Sequence, residues 1–137
     1  MGWGAVVVNR NKARGTAWES GIRDHLNAEL GHTDGRGTLR DPYSALNVRR
    51  PAQEGARDVG DVHAAPFCIE AKNVKARAVP TWLGQAHIEA TNAGFPYGVV
   101  VEKRHRESVG MGLVHFSVLT WTRVRLSLGL PTRAMYD

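Results

Sequence analysis

The chain of 137 residues contains one cysteine, no long apolar run, no internal repeat and no low-complexity tract, and each absence removes a class of protein. A lone Cys68 makes no internal disulfide and lacks the paired spacing of a zinc knuckle or ribbon, so it reads as a small apolar side chain. No stretch approaches the roughly 20 apolar residues of a bilayer span. The opening MGWGAVVVNRNKARG has its positive charge on the wrong side of a short apolar core for a secretory signal, so an intracellular, cytoplasmic location with no membrane partner is expected. Lysine is also scarce, at Lys12, Lys72, Lys75 and Lys103 only, and arginine supplies the rest of 18 basic residues against 13 acidic ones. A net charge of +5 carried on planar guanidinium forks favours a polyanionic partner such as nucleic acid.

With 42% hydrophobic and 23% charged residues, the composition is that of a folded chain, and its length suits one domain over 1–137, with 1–12 as a possible arm or tail. GTAWESGIRDHLNAELG predicts a helix with Thr16 as N-cap, Ala17, Ile22, Leu26 and Leu30 at helical spacing, and Gly31 as the stop. ALNVRR, before Pro51, and DVHAA and PFCIEAKNV predict three strands. PTWLGQAHIEATNAG predicts a second helix with Pro80 at its start, YGVVVEK a buried strand, and HRESVGMG a loop. GLVHFSVLTW alternates like a fifth strand, and TWTRVRLSLG predicts a closing helix capped by Thr120 or Thr122. The class is α/β, in the order α-β-β-β-α-β-β-α.

The run FCIEAKNV places Glu70 and Lys72 inside an otherwise apolar strand, where charge is costly unless paired or metal-bound. Only Ala65 and Pro66 separate this run from the preceding one, which predicts an antiparallel hairpin with Asp61 opposite Glu70. Pro66 suits the favoured two-residue turns poorly, so a wider turn that shifts the register by one residue stays open. Alternation puts Cys68, Glu70 and Lys72 on one face, and leaves Phe67, Ile69 and Ala71 to pack under both helices. Facing carboxylates repel, and a divalent cation between them removes the repulsion.

Simpler readings exist for each residue. Glu19 is three residues after Thr16 and completes a capping box; Glu70 and Lys72 suit the wet face of a strand; Asp61 suits a turn. His63 and Cys68 also face each other, but a tetrahedral zinc site needs more ligands than these two. Trp82 reads as core or dimer contact, not as a base-stacking residue.

Taken together, Glu19 on the first helix, the GD of Gly60 and Asp61, the IEAK of Ile69 to Lys72 and the following WLGQAHIEA helix resemble the PD-(D/E)XK nuclease superfamily. More narrowly, the layout is similar to archaeal-type Holliday junction resolvases and their bacteriophage relatives, which are small, basic and dimeric. Nearly the whole chain, Arg10 to Trp121, can be laid on that architecture, although Gly60 stands where the superfamily name has proline. The resemblance implies a restriction-endonuclease-like core with a central mixed five-stranded sheet flanked by helices. It implies that Asp61, Glu70 and the carbonyl of Ala71 bind Mg2+, or Mn2+ in its place, with Glu19 completing the site directly or through water. Lys72 would stabilise charge near the attacking water, and Gln85 would orient a water or the phosphate. Arg14, Arg49, Arg50, Arg57, Lys75 and Arg77 would contact DNA phosphates, with Lys103, Arg104 and Arg106 as a second basic run. The implied activity is Mg-dependent endonucleolytic hydrolysis of DNA at four-way junctions, leaving a 5′-phosphate, by a homodimer acting in recombination and repair. Two alternatives stay open: another nuclease of the superfamily acting on single strands, flaps or duplex, and a non-catalytic basic DNA-binding module.

Overall fold

The computed structural model describes residues 10–53 and 55–133. Helix α1 (Arg10–Glu29) is followed by strands β1 (Val62–Ala64) and β2 (Phe67–Lys72), helix α2 (Val79–Ala93), strand β3 (Tyr97–Glu102), a 3-10 turn at Val109–Met111, strand β4 (Leu113–His115) and helix α3 (Val118–Ser127). The strands form one mixed sheet in the order β1-β2-β3-β4, with β2 parallel to β3 and the outer pairs antiparallel. The α/β class stands, with four strands instead of five. Of the predicted arm, 1–9 lie outside the described residues, and 10–12 form the first turn of α1.

The missing strand has a specific cause. Ala45–Arg50 joins the sheet only through one bridge, Arg49 to His63. The buried Asn27 side chain instead takes both backbone groups of Val48: its Nδ2 donates to the Val48 carbonyl at 2.9 Å, and its Oδ1 accepts the Val48 amide at 2.8 Å. Arg49 exchanges both backbone hydrogen bonds with His63, so the Val48 groups point to the edge away from β1, where Asn27 satisfies them; the next residues that would face β1 are Asn47, whose amide donates to the Ser44 carbonyl, and Pro51, which has no amide hydrogen.

Two caps also differ from expectation. Thr16 lies within α1, which begins at Arg10, so neither a Thr16 cap nor a capping box through Glu19 forms. Helix α3 starts earlier than predicted because Ser117, not Thr120 or Thr122, is its N-cap; its Oγ accepts the Thr120 amide at 3.0 Å, which ends β4 at His115.

The expectation that both helices cover the Phe67, Ile69 and Ala71 face is corrected. Helix α1 packs there, through Trp18 and Ile22 on Ile69, Val99 and Val62, and the Trp18 indole donates to the Val101 carbonyl at 3.1 Å. Helix α2 packs on the opposite face, where Trp82 and Ala86 meet Val100. Val100 is the lateral partner of Glu70, so α2 covers the face that carries Cys68, Glu70 and Lys72. Contact is close because β3 has Gly98: a Cβ there would lie 2.3 Å from the Ala86 carbonyl oxygen. Helix backbone rests directly on strand backbone.

Coverage elsewhere is incomplete. Beside α1 an apolar groove of about 460 Å³ is lined by residues including Ile22, Leu26, Leu46, Val114 and Phe116. Val118, Leu119, Trp121 and Leu126 of α3 are exposed, as is Val114 on the edge strand β4. Among the described residues no helix is long and apolar enough to cross a membrane.

The Gly98 contact is testable. Gly98→Ala is expected to destabilise the fold by about 1–3 kcal/mol, since the clashing atoms are backbone and α2 must lift away. A lowered urea midpoint with unchanged slope is the expected readout.

Candidate functional site

The hairpin holds the register the alternation predicts: Val62 faces Ile69, His63 faces Cys68 and Ala64 faces Phe67, around a turn whose Ala65–Pro66 peptide is cis. Continued by one residue, this brings Asp61 to Glu70. The strand pairing stops there, and the Asp61 amide donates to the Ile69 carbonyl at 2.9 Å. Since successive residues in a strand direct their backbone groups to alternate edges, Ala71 addresses the same edge as Ile69, past the end of β1. Asp61 Oδ2 fills part of this gap by accepting the Ala71 amide at 2.9 Å. The carbonyl of Ala71 therefore lies on the edge occupied by Asp61.

Gly60 makes the approach to Asp61 possible. Its φ of +87° is forbidden to proline, and a Cβ would lie 2.5 Å from Cys68 Sγ. Glycine at this position therefore has a local steric reason. Asp58 shapes the same turn, its Oδ1 accepting the Gly60 amide at 2.9 Å.

On the α2 face, Glu70 is 6% exposed. Lys72 Nζ lies 3.1 Å from Glu70 Oε1 and 5.7 Å from the centre of the Trp82 ring, so one cation is held between a carboxylate and an aromatic face. Trp82 is buried and serves as core. Glu70 Oε2 is buried without a hydrogen-bond partner.

Glu19 enters from α1. Its carboxylate accepts from Arg50 Nη2 at 2.7 Å, and Arg50 Nη1 donates to Ser20 at 3.1 Å. It is close enough to Asp61 to act on it electrostatically: burial, then Glu70, then Glu19 and Asp58 push the Asp61 carboxyl up to about 7, opposed by the Ala71 amide. Glu19, Asp61, Glu70 and Lys72 are thus brought to one region from three elements. Gln85 is not; it is exposed on the flank of α2.

The residue that sequence reasoning missed is Glu89. It is 1% exposed, on the sheet-facing stripe of α2 with Trp82, Ala86 and Ala90. Its carboxyl meets those of Glu70 and Asp58, and burial followed by these two neighbours pushes its pKa far above the ordinary carboxyl range. Among the described residues no N–H group donates to either Glu89 oxygen, and the proton that Glu89 retains faces Glu70 and Asp58. The available signal was its position one turn beyond Gln85 on the apolar stripe.

Among the described residues no group of three or more His, Cys, Asp or Glu side chains is arranged to hold a metal ion as it stands. The donor chemistry nonetheless fits a hard divalent cation: all candidate atoms are oxygens, one of the Glu70 oxygens is buried and unpartnered, and burial followed by the nearby Glu70 makes Asp61 resist ionisation. The zinc alternative gains nothing. His63 Nε2 and Cys68 Sγ both address the Val59 carbonyl, at 2.6 and 3.2 Å, and burial then Glu89 push the thiol up to about 12, away from the thiolate that zinc requires.

Of the expected DNA contacts, Arg14, Arg49, Arg57 and Lys75 are exposed. Arg50 is committed to Glu19, and Arg77 makes a two-point pair with Glu102 at 2.8 Å for each bond. Glu102 also accepts from His115 at 2.9 Å.

No family model matches the chain, and neither a curated protein nor a solved structure matches it.

The carboxyl cluster has a consequence for pH. Asp61 and Glu89 keep their protons to higher pH folded than unfolded, so between the ordinary carboxyl range and neutrality the folded chain binds more protons, and stability falls as pH rises. Glu102, held low first by Arg77, acts in the opposite sense only at more acid pH. In EDTA, the melting temperature is expected to be higher at pH 5.5 than at pH 8, and Asp61→Asn to reduce the difference. Thermal melts across that range check it.

Proposed function

We propose that the chain is a metal-dependent, structure-selective DNA endonuclease, a Holliday junction resolvase that hydrolyses phosphodiester bonds at four-way junctions as a homodimer. The observation that carries the reading is the end of the hairpin: Asp61 abuts the Ala71 backbone, and Glu70 is paired to Lys72 on the adjacent buried face. An ordinary wet strand face explains neither the burial of Glu70 nor its unpartnered oxygen.

Asp61, Glu70 and the Ala71 carbonyl would hold Mg2+ or Mn2+, with Glu19 nearby. When bound, the cation supplies Lewis-acid polarisation of the phosphate and a more acidic attacking water. Lys72, drawn from Glu70, stabilises the negative charge that builds on the phosphoryl oxygens. Arg50 orients Glu19 toward this region, a positioning role in place of the DNA contact expected of it. The exposed Arg14, Arg49, Arg57 and Lys75 would take backbone phosphates, which selects by shape without reading bases.

The exposed apolar residues of α3 and β4 favour a homodimer. Two copies related by a two-fold axis match the two-fold symmetry of a four-way junction. Trp121→Glu, on a half-exposed side chain, is expected to shift the chain to monomer while leaving the fold intact, read by sedimentation.

The function is tested by incubating a labelled immobile four-way junction, and linear duplex of the same sequence, with Mg2+ or Mn2+. Symmetric nicks in the junction are expected, reduced at least 100-fold by Asp61→Ala, Glu70→Ala or Lys72→Ala at unchanged fold. Equal cutting of junction, flap, single strand and duplex would make the enzyme a general nuclease. Tight binding without cutting would leave a DNA-binding module.

A further inference from the structure

Four carboxylates, Asp58, Asp61, Glu70 and Glu89, neighbour one another at the junction of β1, β2 and α2. The cation recorded against them is Lys72, and it reaches the outer oxygen of Glu70. Arg50 is spent on Glu19. The inner oxygen of Glu70 and both oxygens of Glu89 are buried and receive no hydrogen bond, in side chains only 6% and 1% exposed. An uncompensated carboxylate in such a place is strongly disfavoured, and a sequence that keeps one there needs either a proton or a cation to neutralise it.

Gly60, lacking a Cβ, borders Glu89 Oε2: a Cβ at this residue would lie 3.8 Å from that oxygen. Among the described residues no N–H group donates to either Glu89 oxygen. Cys68, also close by, gives its proton to the Val59 carbonyl at 3.2 Å. Asp58 Oδ1 is engaged with the Gly60 amide, and the Asp58 carbonyl with Asn92 Nδ2 at 2.9 Å, so the Asp58 loop is anchored to α2 beside Glu89.

We propose that Glu89 is a ligand of a divalent cation at this site, shared with the inner oxygen of Glu70 and bordered by Asp58, so that α2 contributes an anionic ligand that the hairpin motif alone does not contain. The proposal rests on the cation-dependent reading above. Its cation class is the hard, oxygen-preferring one of Mg2+ and Mn2+, because every donor is a carboxylate oxygen. The side chains are not gathered around one point as they stand, and Lys72 draws Glu70 toward the outside; a small rotation of Glu70 and Glu89 toward each other is required on binding.

The competing account is that Glu89 is a neutral acid that only donates a hydrogen bond to Glu70. Glu89→Gln separates the two, because a Gln amide donates the same hydrogen bond at nearly the same volume but offers no carboxylate to a cation. The experiment is calorimetric titration of Mn2+ into wild-type, Glu89→Gln and Glu70→Gln protein without DNA, with thermal melts in EDTA and in Mn2+ as a second readout. Weaker Mn2+ binding in Glu89→Gln by at least tenfold, with a smaller Mn2+-induced rise in melting temperature and an intact fold in EDTA, is the expected result. Equal Mn2+ affinity in wild-type and Glu89→Gln, with loss only in Glu70→Gln, would overturn the role of Glu89 and leave the nuclease reading standing. No Mn2+ binding by the wild-type chain would overturn both.

Discussion

Helix α2 can rest on β3 only because Gly98 presents no side chain to the carbonyl of Ala86, and the character of the site follows from that contact. A helix held at this height shuts Cys68 and Glu70 away from water and leaves Lys72 at the half-buried margin. It also brings Glu89 down onto the sheet beside Glu70 and Asp58. Carboxylates that on an open sheet would be solvated independently become neighbours in a medium that solvates them poorly, and each raises the cost of ionising the next. The same contact that completes the fold thereby creates a demand for positive charge.

The chain meets this demand unevenly. Glu19 is neutralised by Arg50, which arrives from the segment after Val48, and Glu102 by Arg77, with His115 hydrogen-bonded to it as well. Glu70 has Lys72 on one oxygen only, and among the described residues no cation pairs with Glu89. Ion pairs that serve structure are complete, whereas the pair at the hairpin end is left open. Under the proposed function, this open pair is where a bound cation and Lys72 would together stabilise an anionic transition state. On the opposite face Trp18 and Ile22 make an ordinary apolar core against β1, β2 and β3, so the sheet has one face for stability and one that combines packing with charge.

Much of the frame was legible locally. The hairpin register, with His63 opposite Cys68, follows from a two-residue turn between alternating runs, since a period of two leaves little freedom once the turn is placed. Pro80 and Gly94 bracket α2 to within one residue of its observed bounds. The caps were less legible: Thr16 and Glu19 have capping-box spacing, yet the helix runs through them, because helical propensity upstream from Arg10 outweighs a single cap signal. Residues 45–50 have strand composition, but they meet β1 at Arg49 alone, because the Asn47 amide turns back to Ser44 and Pro51 has no amide hydrogen to offer.

The amino-acid order by itself determined which residues share a face of the hairpin, that Asp61 and Glu70 meet at its end, and that Lys72 accompanies Glu70, because covalent succession and a period of two dictate these relations. The tertiary structure alone decided that this face is buried, that Glu19 joins the cluster with Arg50 as its partner, and that Glu89 and not Gln85 reaches the sheet. Those relations depend on which side of the sheet a helix packs and how closely. Helical periodicity specifies an apolar stripe but not the surface it will cover, and closeness is set by a single missing Cβ at Gly98.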